Sequence, residues 1–76
     1  MDKRNPLLIE IGQRIRQQRK KIGCTQEDIA DDLGIDRAYY GKIELGMINV
    51  SILKLHNICQ ILKMNLSDLF PKELDK

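Results

Sequence analysis

Two basic side chains, Arg37 and Lys42, and two small residues, Ala38 and Gly41, recur at spacings that share one side of a helix. A guanidinium and an ammonium, flanked by side chains too small to hold another surface away, suit close-range hydrogen bonding to the acceptors of a polyanion. Arg37 is the stronger of the pair, because its planar fork can give two parallel hydrogen bonds to adjacent acceptors. Bond-making chemistry finds no support. The chain carries no nucleophile–base constellation and no glycine-rich phosphate loop, so an enzyme is not expected. Cys24 and Cys59 are far apart, form no CxxC, and have only His56 for company, so free buried thiols are expected, with no disulfide, metal or cofactor.

The elements that must position these residues have legible starts and stops. Asn5-Pro6 offers an N-cap and a first-turn proline, and Leu8, Ile11, Ile15 and Ile22 then recur at helical spacing up to Gly23, predicting helix 1 over about 6–21. Thr25, with Asp28 three residues on, reads as a short-armed capping box for helix 2 over about 25–33, with Ile29, Ala30 and Leu33 apolar before Gly34. Asp36 caps helix 3, over about 36–45, whose inward positions are Tyr40 and Ile43 and which ends at Gly46. Ser51 caps helix 4, with Leu55, Ile58, Cys59 and Leu62 on one face. A last helical turn follows Asn65, with Leu66, Leu69 and Phe70, and is stopped by Pro71. The expectation is five helices and no strand.

Composition bounds what such a chain can be. At 76 residues it is read as one domain, residues 1–76, with a core over about 6–70 and a short polar tail. With 42% hydrophobic and 32% charged residues it is too apolar for disorder and too charged for a membrane span; no long apolar run or signal-peptide core is present, so a cytoplasmic location is expected. The formal charge of +2 hides segregation: residues 1–24 are strongly basic, residues 25–36 acidic, and residues 37–63 basic again. A polyanion is steered by the local field, and an acidic segment turned away from it costs little.

Between Leu33 and Asp36 stand only Gly34 and Ile35, too few for antiparallel packing, so helices 2 and 3 must cross steeply. Small Ala30 lets the backbones approach, Gly34 supplies the turn, and Ile35 plugs the crossing. A helix-turn-helix of this kind projects the start of helix 3 outward, where it can enter a DNA major groove with Arg37, Ala38, Gly41 and Lys42 on its outer side. Asp31 and Asp32 would lie toward the rear end of helix 2.

The stretch IGQRIRQQRKKIGCTQEDIADDLGIDRAYYGKIELG resembles the Cro/phage-repressor (XRE-like) helix-turn-helix family, with Arg19, Gln26, Ala30, Gly34, Ile43, Glu44 and Gly46 at the family's spacing. The likeness continues through SILKLHNICQILKMNLSDLF, covering about residues 9–70. DRAYYGKIELGMIN is further similar to the restriction–modification controller proteins: Asp36, Arg37, Tyr39 and Asn49 match, whereas Ala38 replaces a hydroxyl residue and Leu45 and Ile48 stand where that group often has basic residues.

The resemblance implies an all-α, compact five-helix, lambda-repressor-like domain that binds double-stranded DNA as a transcriptional regulator. Arg37 and Lys42, with Ala38 and Gly41, would face bases. Thr25, Gln26, Asn49 and Ser51 would face the DNA backbone, although capping alone explains Ser51 and turn geometry Asn49; Tyr39 would meet a phosphate or a thymine methyl. Tyr40 falls at a core position. Arg19 and Glu44 would form an ion pair clamping helix 1 to the end of helix 3. Arg14, Arg16, Lys20 and Lys21 read first as a solvated face. With no sensor domain evident, a homodimer on an inverted-repeat operator is expected, pairing through Leu66, Leu69, Phe70 and Leu74, with Phe70 the most inward of them. An alternative is a DNA-binding antitoxin, whose protein contacts would be LGMI (Leu45, Met47, Ile48) and the tail PKELDK.

Overall fold

The computed structural model describes residues 3–72. Four α-helices follow one another, α1 (Pro6–Ile22), α2 (Gln26–Leu33), α3 (Arg37–Glu44) and α4 (Ile52–Leu62), and a 3-10 helix over Leu66–Leu69 follows them, with no strand among the described residues. The all-α class is as expected; the fifth helix is the difference. Only four residues separate the extended Asn65 from Phe70, itself extended (φ −106°, ψ 140°) because the following Pro71 disfavours a helical predecessor, and a single tight turn is all that fits.

Capping explains the boundaries. The Asn5 side chain accepts from the Leu7 amide at 2.8 Å, and Pro6 occupies the first turn of α1. Thr25 precedes α2 as its cap: its hydroxyl accepts from the Asp28 amide at 3.0 Å while the Asp28 carboxylate accepts from the Thr25 amide at 2.9 Å. The hydrogen bond from the Thr25 backbone amide, helped by the nearby Thr25 hydroxyl, holds the Asp28 carboxyl below the usual carboxylate range. Asp36 accepts from Ala38 and Tyr39 at the head of α3, and Ser51 from Lys54 at the head of α4. At the sharp turn, Gly34 adopts φ 70°, a left-handed conformation that lets its amide close the last turn of α2 and sends Ile35 back to the Ala30 carbonyl at 3.0 Å.

Ile11 and Ile15 of α1, Ile29 and Ala30 of α2, Tyr40 and Ile43 of α3, and Leu55, Ile58, Cys59 and Leu62 of α4 meet in one core. The apolar faces read for α3 and α4 are therefore the buried ones. On α1 the face ends sooner than expected, with Ile22 in the final turn exposed. The Gln18 amide donates to the Leu62 carbonyl at 2.9 Å, tying α1 to the end of α4.

Leu69 completes this core and is fully buried, whereas Leu66 and Phe70 are half-buried. The expectation that Leu69 offers pairing surface is thus corrected, as is the choice of Phe70 as the inward residue. A 3-10 helix repeats every third residue, so Leu66 and Leu69 share its inner side against α1 and α4 while Phe70 leaves the turn in extended form. Leu74 lies outside the described residues. Both thiols are free, Cys59 buried in the core and Cys24 only half-buried; burial pushes the Cys59 thiol up.

α1 packs unusually close to the end of α3. A Cβ built on Gly12 would overlap the Glu44 carbonyl and come within 2.7 Å of the Ile43 carbonyl oxygen, both backbone atoms that cannot swing aside. Gly12→Ala should therefore destabilise the fold by about 1–3 kcal/mol or more, by forcing the helices apart. Denaturant melts in which Gly12→Ala matches the parent chain would show that the helices yield freely.

Candidate nucleic-acid interface

α3 is only eight residues long, and its two ends are held by different means. Its head is capped by Asp36, which leaves Arg37, Ala38 and Tyr39 exposed in the first turn, with Lys42 exposed one turn later. Its tail is anchored by Glu44, of which 4% is exposed. Arg19 of α1, itself 8% exposed, meets that carboxylate as a fork: Nε donates to Oε2 at 2.6 Å and Nη2 to Oε1 at 3.1 Å. The remaining Arg19 nitrogen donates to the Cys24 carbonyl at 2.9 Å, so the same guanidinium also fastens the α1–α2 connection. The ion pair implied by the family resemblance is present and buried.

Gln26, the first residue of α2, extends this cluster to the other end of α3. Its amide nitrogen donates to Glu44 Oε1 at 2.9 Å, and its amide oxygen accepts from Arg37 Nη1 at 3.0 Å. A carboxylate can only accept and a guanidinium only donate, so the amide placed between them has one allowed orientation. Arg19, Glu44, Gln26 and Arg37 thereby form a continuous polar chain from α1, through the tail of α3 and the head of α2, to the head of α3. Gly41 is half-buried beneath it, with the Gln26 oxygen 3.6 Å from where a Cβ would stand. Its small size makes room for Gln26, a role that spacing alone did not suggest.

The electrostatics follow from this packing. Burial pushes the Glu44 carboxyl up, but hydrogen bonds from Arg19 and Gln26 outweigh it and leave the group below its ordinary value of 4.5. Arg19 is raised by its hydrogen bond to Glu44. Tyr40 packs beside the pair with its hydroxyl buried and without a hydrogen bond of good geometry, and burial drives its ionisation well above the usual phenol range.

The other expected contact residues take up varied positions. Thr25, Asn49 and Ser51 are exposed, with the Thr25 and Ser51 hydroxyls accepting cap hydrogen bonds and retaining a hydrogen to donate outward. Tyr39 lies beneath Lys54 of α4, whose ammonium stands 5.7 Å from the ring centroid. Sequence reading missed Lys54, because nothing in the spacing of α3 and α4 joins it to Tyr39. Arg4 was missed too; its guanidinium donates to the Leu45 carbonyl at 2.7 Å, bringing positive charge to the end of α3. Arg14 is committed to structure, pairing with Glu10 at 2.7 Å and donating to the Asp68 carbonyl at 3.1 Å, whereas Arg16, Lys20 and Lys21 are exposed. The described residues contain no cluster of metal-ligating side chains.

A short, tightly pinned helix that offers an arginine at its exposed head, crossed by a second helix through a three-residue turn, defines a DNA-binding helix-turn-helix domain. The chain belongs to the helix-turn-helix family, which matches it over residues 15–69. It is 39% identical over 67 residues to the control protein C.MunI of a Mycoplasma species, covering 87% of this chain and 90% of that one. The restriction-modification controller protein C.AhdI of Aeromonas hydrophila has a similar structure, with a TM-score of 0.77 at 36% identity over 83% of this chain and 96% of that one. SinR, a master regulator of biofilm formation solved in complex with DNA, is similar with a TM-score of 0.71 at 33% identity over 78% and 95% of the two chains. The chain spans about half the length of two curated HTH-type transcriptional regulators to which it is 40% identical over 68 residues.

Removing one partner of the buried pair strands the other charge. Glu44→Ala should cost roughly 3–5 kcal/mol, Arg19→Ala a similar amount, and the double variant less than their sum; denaturant melts of all three form the cycle that measures it. Because the Glu44 carboxyl lies lower in the folded than in the unfolded chain, its contribution is complete above pH 4.5 and is lost as the pH falls through the folded value. Glu44→Gln should therefore show a flatter stability profile below pH 4.5 than the parent chain, as read by melts across that range.

Proposed function

We propose that the chain regulates transcription by binding an inverted-repeat operator as a homodimer, with the head of α3 in the major groove of each half-site, and that it acts in the cytoplasm as a restriction–modification controller. The observation that carries this reading is Arg37, exposed in the first turn of α3 and held by Gln26 at 3.0 Å, so that its fork is already oriented before any base is met. Relatives support it from outside: C.MunI and C.AhdI are controller proteins, and SinR is a regulator seen on DNA.

In this reading Arg37 and Lys42 meet base edges, while Ala38 and Gly41 keep the helix surface low enough for the groove wall to approach. Thr25, Tyr39, Asn49 and Ser51 grip the sugar–phosphate backbone. Gln26 both holds Arg37 and contacts the backbone. One amide hydrogen is spent on Glu44, and the second is free to donate to a phosphate at the positive end of α2. Two copies are required because one short helix reads too few bases for useful specificity.

Selection of sites from a random duplex pool tests the reading directly and should return an inverted repeat whose half-sites lie about 10 base pairs apart or a multiple of a turn. Arg37→Ala should then weaken binding by about 1–3 kcal/mol per half-site and relax the preference at one position, whereas Ser51→Ala should weaken all sequences alike. A selected profile that Arg37→Ala leaves unchanged removes Arg37 as a reader.

A further inference from the structure

Helical spacing divides the outside of α3 into three strips. Ala38 and Lys42 share the outermost one, and Arg37 and Gly41 share the flank turned to α2, where Gln26 accepts from Arg37 at 3.0 Å and lies 3.6 Å from where a Gly41 Cβ would stand. Tyr39 falls on the opposite flank, beside α4. Its ring is 38% exposed, and the ammonium of Lys54 covers one face of it at 5.7 Å from the centroid, close to the outer limit of about 6 Å for such a contact. Lys54 has no carboxylate partner among the described residues. α4 contains no Asp or Glu, and between Arg37 and Lys63 the one acidic residue is Glu44, buried and spent on Arg19 and Gln26. The base of Lys54 is nevertheless fixed, since its amide donates to the Ser51 hydroxyl at 3.1 Å and its side chain is half-buried. A positioned cation whose charge nothing neutralises stands beside the exposed helix, and base reading by Arg37 and Lys42 gives it no task.

We infer that Lys54 is a DNA-binding residue that acts as a pair with Tyr39, its ammonium and the Tyr39 hydroxyl gripping one backbone phosphate on the α4 side of α3. This rests on the proposed placement of α3 in the major groove. The groove is walled by the phosphates of both strands, and a short helix gripped along one flank alone is left free to roll about its axis. Thr25 and Gln26 serve the α2 flank; Lys54 and Tyr39 serve the other. The ammonium has three N–H donors and the ring face occupies at most one, so two remain for phosphate oxygens. The exchange is favourable in direction, because a phosphate attracts the ammonium with a full charge where the ring offers only a quadrupole. Lys54 also decides what Tyr39 can offer. With one face of its ring covered, the phenol presents its hydroxyl edge, which makes it a backbone contact rather than a partner for a thymine methyl.

Binding of the full chain to its selected operator across a range of salt concentrations tests this. Each neutralised phosphate contributes about 0.9 to the slope of log K against log[salt], so Lys54→Gln should lower the slope by about that amount per half-site. It should weaken binding about tenfold per half-site near 0.1 M salt and leave the selected sequence unchanged. Lys54→Arg should keep the parent's slope, and Tyr39→Phe, which removes only the hydroxyl, should weaken binding without altering it. Lys63→Gln makes the same charge change at the far end of α4 and should bind as the parent does. A scan of the operator with single neutral methylphosphonates should then find one phosphate per half-site whose neutralisation weakens the parent chain but not Lys54→Gln. A Lys54→Gln slope equal to the parent's overturns the inference even where affinity falls, because a purely structural brace changes affinity without changing the number of phosphates neutralised. An equal fall for Lys63→Gln overturns it as well, by marking a long-range field in place of a contact, as does a scan in which Lys54→Gln and the parent lose affinity at the same phosphates. A parent chain that binds no duplex overturns the proposed function and takes this inference with it, whereas each of the other adverse results removes Lys54 and leaves that function standing.

Discussion

A buried carboxylate at the tail of α3 sets the geometry of everything around it. Glu44 cannot be left unpaired in the core, so its partners must arrive in register: Arg19 from α1 as a fork and Gln26 from the head of α2. Each satisfied oxygen fixes the position of another helix relative to α3. Hydrophobic packing alone would bring α1, α2 and α3 together, but it is non-directional and tolerates rotation of one helix against another. The polar chain does not. A rotation of α3 that Ile43 and Tyr40 could accommodate would break two or three charge-assisted hydrogen bonds at once.

That constraint matters because the working end of α3 is the opposite one. An eight-residue helix is about two turns, and its exposed head has little packing of its own. Gln26 bridges the gap, tying the guanidinium of Arg37 to the same carboxylate that anchors the tail. The close approach of α1 at Gly12 acts in the same sense, pressing the α1 backbone against the Ile43 and Glu44 carbonyls. The helix is thus braced from two sides, and its reading residue enters the groove with less side-chain freedom left to lose on binding.

The surface is divided by charge in keeping with this arrangement. Basic residues line the second half of α1 and the outer side of α3. The acidic Asp31 and Asp32 occupy the second half of α2, and the exposed positions of α4 are neutral apart from a histidine. A single domain of this size has few faces, and each is chemically distinct: one suits phosphates and base edges, one repels them, and one carries few charged groups.

The sequence by itself determined the elements and the turn. Caps at Asn5, Thr25, Asp36 and Ser51, a glycine at the turn, and apolar spacing on α3 and α4 are local signals, each decided by a few neighbouring residues and independent of the rest of the chain. Even the Arg19–Glu44 pair was readable, because family spacing preserves a contact that helix packing alone could not have revealed. Tertiary structure decided what depends on residues distant in sequence. Periodicity ranks Leu66, Leu69 and Phe70 alike as apolar, and only the docking of the 3-10 helix against α1 and α4 sends Leu69 inward. Gln26 looked like an isolated first-turn amide until the crossing of α2 over α3 put a carboxylate and a guanidinium at its two ends. Exposure of Ile52 and Leu53 was equally hidden. They sit in the same apolar helix as Leu55 and Ile58, and which side of that helix meets the core is settled only when the other three helices have closed on it.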